Sequence, residues 1–501
     1  MLKQPTGSGV WVFLALAALS ASAVWFFDSR GWLLYYGDAE AHLDIARRIL
    51  DSQTPGYDQL GTGWLPLPHL LMLPFIRSAE WWRSGLAGSI PVAACFVMAG
   101  AFLFAAVRRA FASTAAAVAA TALFALNPNL LYLQSTAMTE PVLFAALMAL
   151  LYFSVRFRET QGWGAAAGAG IAACAGALAR YEGWFLIPFA ALYFLCVARR
   201  RRTGVALVFC ALAALGPLYW LAHNWWLYRD PLAFYRGPYS ALAIQGSQPY
   251  PGKGDWRSAW LYFRTAAQLC AGPGLALMAI AGAAASLARR VFWPLALLAL
   301  PGVFYVWSIH SSATPIFMPT LWPNSYYNTR YGLAALPLLA MASAGLVAIV
   351  PQRLRAIAAV LVIAAGTVYW MVNPQPRNWV AWEESRVNSE ARRAWIREAA
   401  AYLAPRYVRG SGIITSFGDL TGVYRLAGIP LRETFTGDNG LPWLATVRRP
   451  ELFMWQEWAV AVRGDAVAAA AVRDGRYSLE KSIMVKGEPA IEIYRRTGGN
   501  P

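Results

Sequence analysis

Eleven apolar stretches dominate the first three quarters of this chain: Val10–Phe27, Leu86–Val107, Ala112–Leu126, Pro141–Val155, Gly164–Ala179, Trp184–Ala198, Gly204–Ala222, Gly272–Ala288, Val291–Ile309, Tyr331–Val350 and Ile357–Val372. A helix of roughly 20 apolar residues crosses a bilayer, and a shorter one can do so where protein surrounds it. The repetition therefore predicts an α-helical polytopic membrane protein with eleven spans. Composition agrees: 58% of the residues are hydrophobic and 14% are charged, where soluble domains carry roughly a quarter. In a soluble protein the net charge of +17 would point to nucleic acid as a partner. Here the basic residues sit in short junctions between apolar runs, which orients a membrane protein, so membrane lipids and not nucleic acid are the expected surroundings. The five cysteines (Cys95, Cys174, Cys196, Cys210, Cys270) lie in or beside apolar runs without metal or redox spacing and read as packing residues.

Alternate junctions carry the positive charge: Lys3, Arg108-Arg109, Arg156 and Arg158, Arg199–Arg202, Arg289-Arg290, Arg353 and Arg355. They define a cytoplasmic side. The acids sort the opposite way, since of the twelve carboxylates before the tail only Glu159 falls there. All four histidines (His42, His69, His223, His310) face outward with the other eleven acids. Ala21-Ser22-Ala23 resembles a signal cleavage site, but the apolar run continues to Phe27, which favours an uncleaved anchor. An odd number of spans then puts the tail outside.

Composition divides the chain into a membrane domain, 1–372, and a mixed, charged tail, 373–501, which reads as a small extracytoplasmic α/β domain. In the tail, Trp379–Leu403 and Asp465–Arg473 have helical character, and Gly412–Phe417, Ala459–Val462, Ser482–Val485 and Ile491–Tyr494 read as strands. The first outer loop, 28–85, holds an amphipathic stretch, Ala39–Leu50, and a proline-broken apolar segment from Trp64 to Pro74 that is too short to span. The cytoplasmic connections are a few residues each and contain no glycine-rich phosphate loop, so chemistry belongs on the outer side. ATP and nucleotide sugars are not normally supplied there, and a lipid-phosphate carrier is the activated donor that fits.

The first outer loop opens Tyr35-Tyr-Gly-Asp38-Ala-Glu40-Ala-His42-Leu-Asp44, followed by Trp64-Leu-Pro-Leu-Pro68; Thr139-Glu140-Pro141 and Asn328-Thr-Arg330-Tyr331 begin later spans. This order resembles the GT-C superfamily of membrane glycosyltransferases, in the branch of protein O-mannosyltransferases and lipid A aminoarabinose transferases. The resemblance covers the membrane region in order, while its individual motifs are short. One departure is that the family's adjacent Asp-Glu pair is split here by Ala39. Trp379–Glu384 also lacks the Trp-Trp-Asp-Tyr-Gly signature of oligosaccharyltransferases.

The resemblance implies an inverting enzyme that moves a sugar from a polyprenyl-phosphate donor to an outer protein, lipid or glycan acceptor. Asp38 is the candidate general base and Glu40 the substitute, or the group that orients the acceptor. Against this, Asp38 could serve only to cap the Ala39–Leu50 helix. Arg330, Arg180 and Tyr331 are candidates for the donor phosphate, with a Glu182 ion pair as the competing reading of Arg180. Trp64 and Glu182 are candidates for sugar or acceptor contact. Glu140 is a possible second acid, and with Asp38 and His42, i and i+4 on a helix, it forms the option of a divalent-metal site; metal need is left open. Two rival readings remain: an oligosaccharide ligase or polymerase using diphosphate-linked glycans, and a non-enzymatic lipid or sugar transporter. Arginine-rich composition is compatible with a bacterial inner membrane.

Overall fold

The computed structural model describes residues 7–238, 240–245, 248–416, 418 and 420–497, so the expectations resting on Lys3 and on Phe417 lie outside the described residues. All eleven apolar stretches are helical, but they are not equivalent spans. Seven helices are long and apolar enough to cross a membrane: Gly7–Asp28, Leu86–Phe111, Glu140–Thr160, Arg202–Tyr228, Phe292–Ser311, Thr329–Ile349 and Gln352–Val372. Two further helix pairs pass only together and are bent, Thr114–Ala125 with Pro128–Gln134 by 68° and Trp256–Ala271 with Pro273–Ala288 by 108°. Among the described residues the count is therefore seven, or nine with both bent pairs, against the eleven expected. The difference is one of length. Trp163–Ala179 and Glu182–Val197 have 17 and 16 residues, about 25 Å at 1.5 Å per residue, short of a hydrocarbon core of about 30 Å.

Local chemistry explains the bends. Asn127 ends one helix and starts the next, its carboxamide oxygen accepting from the backbone N–H groups of Asn129 and Leu130 at 3.0 and 3.2 Å, with Pro128 in the first turn. Gly272 makes the second break at φ +86°, a conformation that a side chain disfavours, and Pro273 follows.

The chain forms two compact units, and they do not part at residue 372. The first comprises the residues up to Arg30, Thr62–Pro68 and Ser89–Glu384. The second joins Gly31–Gly61 and His69–Gly88 to the tail from Ser385 onward, so most of the first outer loop belongs with the tail. Long-range ion pairs explain this grouping: Glu40 with Arg425, Arg48 with Asp438 and Asp51 with Arg432 each join loop to tail.

Within the first unit, helices approach through small residues, as expected where lipid removes most of the hydrophobic drive for association. A Cβ on Gly282 would collide with the backbone of Ala342 and Ser343, and one on Gly345 with Ser286. Ser286 Oγ donates to Gly282 O at 2.7 Å inside the same contact. Gly183 packs as closely on Gly176.

In the second unit, a five-stranded sheet comprises β1 (Ile413–Thr415), β2 (Thr434–Phe435), β3 (Trp458–Val462), β4 (Tyr477–Ile483) and β5 (Ile491–Arg496), in the order β2-β1-β3-β5-β4. β1 runs parallel to β2 and β3, while β5 is antiparallel to β3 and β4. Parallel neighbours need crossovers. Helices Thr421–Ala427 and Leu441–Arg448, neither expected from the sequence, lie in those connections, as does β2 itself. Helix Ala466–Asp474 is capped by Asp465, whose carboxylate accepts from Val467 and Ala468 N–H at 2.9 and 2.8 Å. Its buried face (Val467, Ala468, Ala470, Ala471) packs with Ile414, Ala459, Ala461, Tyr477 and Tyr494 in one apolar core.

The glycine contacts generate a stability prediction. Gly282→Leu overpacks a backbone contact and should lower stability by about 1–3 kcal/mol, read as the thermal unfolding midpoint in detergent. Gly164→Ala, which meets open space, should leave the midpoint unchanged.

Candidate functional site

The residues singled out by the sequence fall into two groups, one in each unit. In the second unit the amphipathic stretch forms the helix Gly37–Leu50. Tyr36 occupies the N-cap position without a side-chain cap bond, so Asp38 lies inside the first turn and is not the cap. The capping explanation of Asp38 therefore fails, although its charge still sits favourably at the positive end of the helix dipole.

The helix places three acids in three environments. Asp38 is half-buried. Glu40 is buried between two arginines: Arg425 Nη2 lies 2.6 Å from Oε1 and Arg392 Nε 3.7 Å from Oε2. Asp44, one turn on, is also buried, and Trp82 Nε1 donates to its Oδ1 at 3.0 Å. Burial, reinforced by the neighbouring charge of Glu40, pushes the Asp44 carboxyl up to about 7. His42 is buried beside His69, with Nδ1 to Nε2 at 2.9 Å. Among the described residues no three His, Cys, Asp or Glu side chains are grouped to hold a metal ion.

The first unit contains Arg330, Arg180, Tyr331, Glu140, Glu182 and Trp64. All but Trp64 converge with Glu384 in one network. Arg330 Nε donates to Glu140 Oε1 at 3.2 Å and its Nη1 to Glu384 Oε1 at 3.0 Å, while the Arg330 backbone N–H reaches Glu384 Oε2 at 3.2 Å. Arg180 pairs with the same Glu140 oxygen at 3.3 Å and with Glu182 at 2.7 Å. It also donates to Thr139 Oγ1 at 2.6 Å and Tyr305 Oη at 2.9 Å. The Tyr305 hydroxyl donates in turn to Glu182. Both guanidinium groups flank the Tyr331 ring, at 5.0 Å for Arg330 and 5.1 Å for Arg180. Three carboxylates thus face two arginines, and the buried Glu140 Oε2 has no hydrogen-bond partner. Desolvation raises the Glu384 carboxyl above its ordinary range. Trp64 is exposed, while Thr62 nearby is hydrogen-bonded to Asn224.

Four charged side chains of these groups were not candidates in the sequence: Asp44, Glu384, Arg392 and Arg425. Asp44 had a readable signal, being four residues from Glu40 on one helix. The other three meet partners far along the chain, Glu384 at 54 positions from Arg330 and Arg425 at 385 from Glu40, and nothing local marks them.

With this geometry in view, the comparisons can be placed. The family model of dolichyl-phosphate-mannose-protein mannosyltransferases matches residues 83–226. No curated protein matches the sequence. The fold is similar to ArnT from Cupriavidus metallidurans bound to undecaprenyl phosphate, at 13% identity and TM-score 0.60 over 99% of this chain and 100% of that one. The apo state of the same protein gives 13% identity and TM-score 0.57 over 98% and 100%. The apo oligosaccharyltransferase of Archaeoglobus fulgidus gives 14% identity and TM-score 0.49 over 91% and 70%. These likenesses define a class: residues 83–226 resemble a mannosyltransferase family in sequence, and the chain as a whole shares the fold of ArnT. The sequence likeness is confined to residues 83–226, and the likeness in fold extends over nearly the whole chain.

The raised Asp44 carboxyl has a measurable consequence. Unfolded, the group ionises near 3.8, and folded near 7; between these values the folded chain holds the extra proton, so its contribution to stability is lost as pH rises from about 4 to 7. Asp44→Asn removes that dependence and can keep the Trp82 hydrogen bond. Relative to wild type, the variant should gain unfolding free energy on the order of 4 kcal/mol between pH 4 and pH 8, measured by denaturant titration at both pH values.

Proposed function

We propose that this protein is an inverting glycosyltransferase that moves a sugar from a polyprenyl-phosphate donor to an acceptor on the extracytoplasmic side, with Asp38 as general base. One observation carries the choice of base. Glu40 is buried between Arg425 and Arg392, whereas Asp38, in the same turn, is only half-buried. A base must reach the hydroxyl proton it removes, and the less buried carboxylate is the better placed for that.

The reaction balances without a second acid. The acceptor oxygen bonds to the anomeric carbon, its proton passes to the Asp38 carboxylate, and the bond from that carbon to the phosphate oxygen breaks. The electron pair leaves with the lipid phosphate. Phosphate is a good leaving group and needs cationic stabilisation, not protonation, unlike the alcohols that glycosidases expel. Arg330 and Arg180 supply that stabilisation in this reading. Both converge on one oxygen of Glu140, and the phosphate exchanges for this carboxylate while the Tyr331 ring stays close to both guanidinium groups. Glu182 and Tyr305 keep Arg180 oriented, and Trp64, being exposed, is available to stack on a sugar face.

The solved ArnT binds undecaprenyl phosphate, and a donor of that chemistry suits a site served only from the membrane and the outer space. The acceptor is a protein, lipid or glycan. The basic junctions between apolar runs support the outward side. A bacterial inner membrane is the corresponding location, and the tail forms the outer α/β domain.

Asp38→Asn should lower release of lipid phosphate from labelled polyprenyl-phosphate sugars by about 100-fold or more, with an unchanged unfolding midpoint; full turnover in this variant overturns the assignment. Sidedness has its own test. In a background lacking the five native cysteines, Tyr57→Cys should react with a membrane-impermeant thiol reagent added from outside, and labelling only from the cytosol would reverse the topology.

A further inference from the structure

The first turn of the acidic helix is held by side chains that come from the tail. Arg392, in the helix Val380–Leu403, donates from Nη2 to Tyr35 O at 2.8 Å and lies against Gly37, where a Cβ would strike its Nη1. Arg425, in the helix Thr421–Ala427, reaches Glu40 Oε1 at 2.6 Å through Nη2 and Arg83 O at 2.7 Å through Nη1. Its two donating arms thus tie the carboxylate of one outer-loop helix to the backbone at the end of another. One turn earlier, Gly422 fits against the same carboxylate: a Cβ there would collide with Glu40 Oε1 and come within 2.6 Å of Ile396 Cδ1. Arg425 and Glu40 are both about nine-tenths buried or more, so solvent does little to screen their attraction. Arg425 is also separated from Glu40 by 385 positions, so the contact joins the tail to the outer loop.

We propose that Arg425 is a positioning residue for sugar transfer: by clamping Glu40 it fixes the turn that carries Asp38, and so makes the tail part of the catalytic apparatus. The proposal rests on the reading of Asp38 as base. Arg425 touches no reacting atom in it. Its effect runs through Glu40 and the backbone from Tyr35 to Glu40, and Gly422 supplies the space that the clamp needs.

The test uses the full-length purified chain with a polyprenyl-phosphate sugar donor and hydrogen exchange of residues 37–44. Arg425→Gln should lower kcat about tenfold or more while the KM for donor stays within about twofold, the signature of lost positioning and not of lost binding. Arg425→Lys keeps the charge and should recover most of the rate. Gly422→Ala keeps every charge but pushes on Glu40, and should lower kcat in the same way. Arg432→Gln breaks another loop-to-tail ion pair, with Asp51, and should leave kcat within about twofold. In Arg425→Gln and Gly422→Ala the amides of residues 37–44 should exchange faster than in wild type, while Arg432→Gln leaves them protected. A wild-type kcat in Arg425→Gln, or an equal loss in Arg432→Gln, overturns the proposal. So does unchanged exchange over residues 37–44, which is read without substrate and decides the matter even if no donor is turned over. Failure of the underlying reading shows elsewhere, as full activity in Asp38→Asn.

Discussion

The buried carboxylate of Glu40 between the guanidinium groups of Arg425 and Arg392 is the contact on which the acidic helix depends. A carboxylate cannot be taken from water without partners, and breaking such a buried pair by removing one side costs about 3–5 kcal/mol. The pair therefore does more than add stability. It makes one arrangement of loop and tail much better than its neighbours, because only there are both arginines and the acid satisfied. The same helix then differentiates its acids by environment: Glu40 is neutralised by arginine, Asp44 is driven toward its protonated form by burial, and Asp38 stays partly open. Three carboxylates within seven residues acquire three chemical characters without any change of residue class.

The network around Arg330 and Arg180 follows a different logic. Two arginines meet three glutamates, and one oxygen of Glu140 is left without a donor. A fully matched network would have nothing to offer a ligand, since every donor and acceptor would be spent. This one carries one carboxylate more than its arginines match, held at a single oxygen that both arginines share. An incoming phosphate presents more acceptor oxygens than Glu140 uses, so the exchange can preserve the hydrogen bonds of both guanidinium groups. The surrounding partners that do not move in this exchange, Glu384 on Arg330 and Glu182 with Tyr305 on Arg180, keep the forks aimed.

How much of this was legible depends on whether the cause is local. Apolar stretches are a property of consecutive residues, and each proved helical. The number of spans was less legible, because Trp163–Ala179 and Glu182–Val197 are apolar but short, and because breaks such as Asn127-Pro128 and Gly272-Pro273 turn one apolar run into two bent arms. Those breaks carry their own signals, an Asn cap before proline and a glycine at positive φ, and weigh more than mean hydropathy at these points. In the tail, β3 and β5 were readable as apolar β-rich runs, while the two-residue β2 was not, since a strand that short exists only through its pairing with β1. The acidic motif stood out by residue type, yet its assignment turned on Arg392 and Arg425, whose proximity to Glu40 is created by the fold and leaves no periodicity behind.

A fold shared at 13% identity shows which features are generic and which are particular to this chain. Apolar helices joined through close glycine contacts can keep a fold like that of ArnT with few identities, because packing in lipid asks for small residues at the crossings and apolar ones elsewhere. Chemistry cannot be inherited at that level and has to be argued from placed side chains. Here the separation of Asp38 from Glu40 by Ala39 puts the two carboxylates about 160° apart around an ideal helix, at about 100° per residue, so they do not point the same way. An adjacent pair would be about 100° apart. Splitting the pair lets Glu40 turn into the arginine clamp while Asp38 faces elsewhere, and the inserted alanine is itself buried. In the proposed reaction, this departure from the adjacent acidic pair is what lets Glu40 serve structure while Asp38 serves as base.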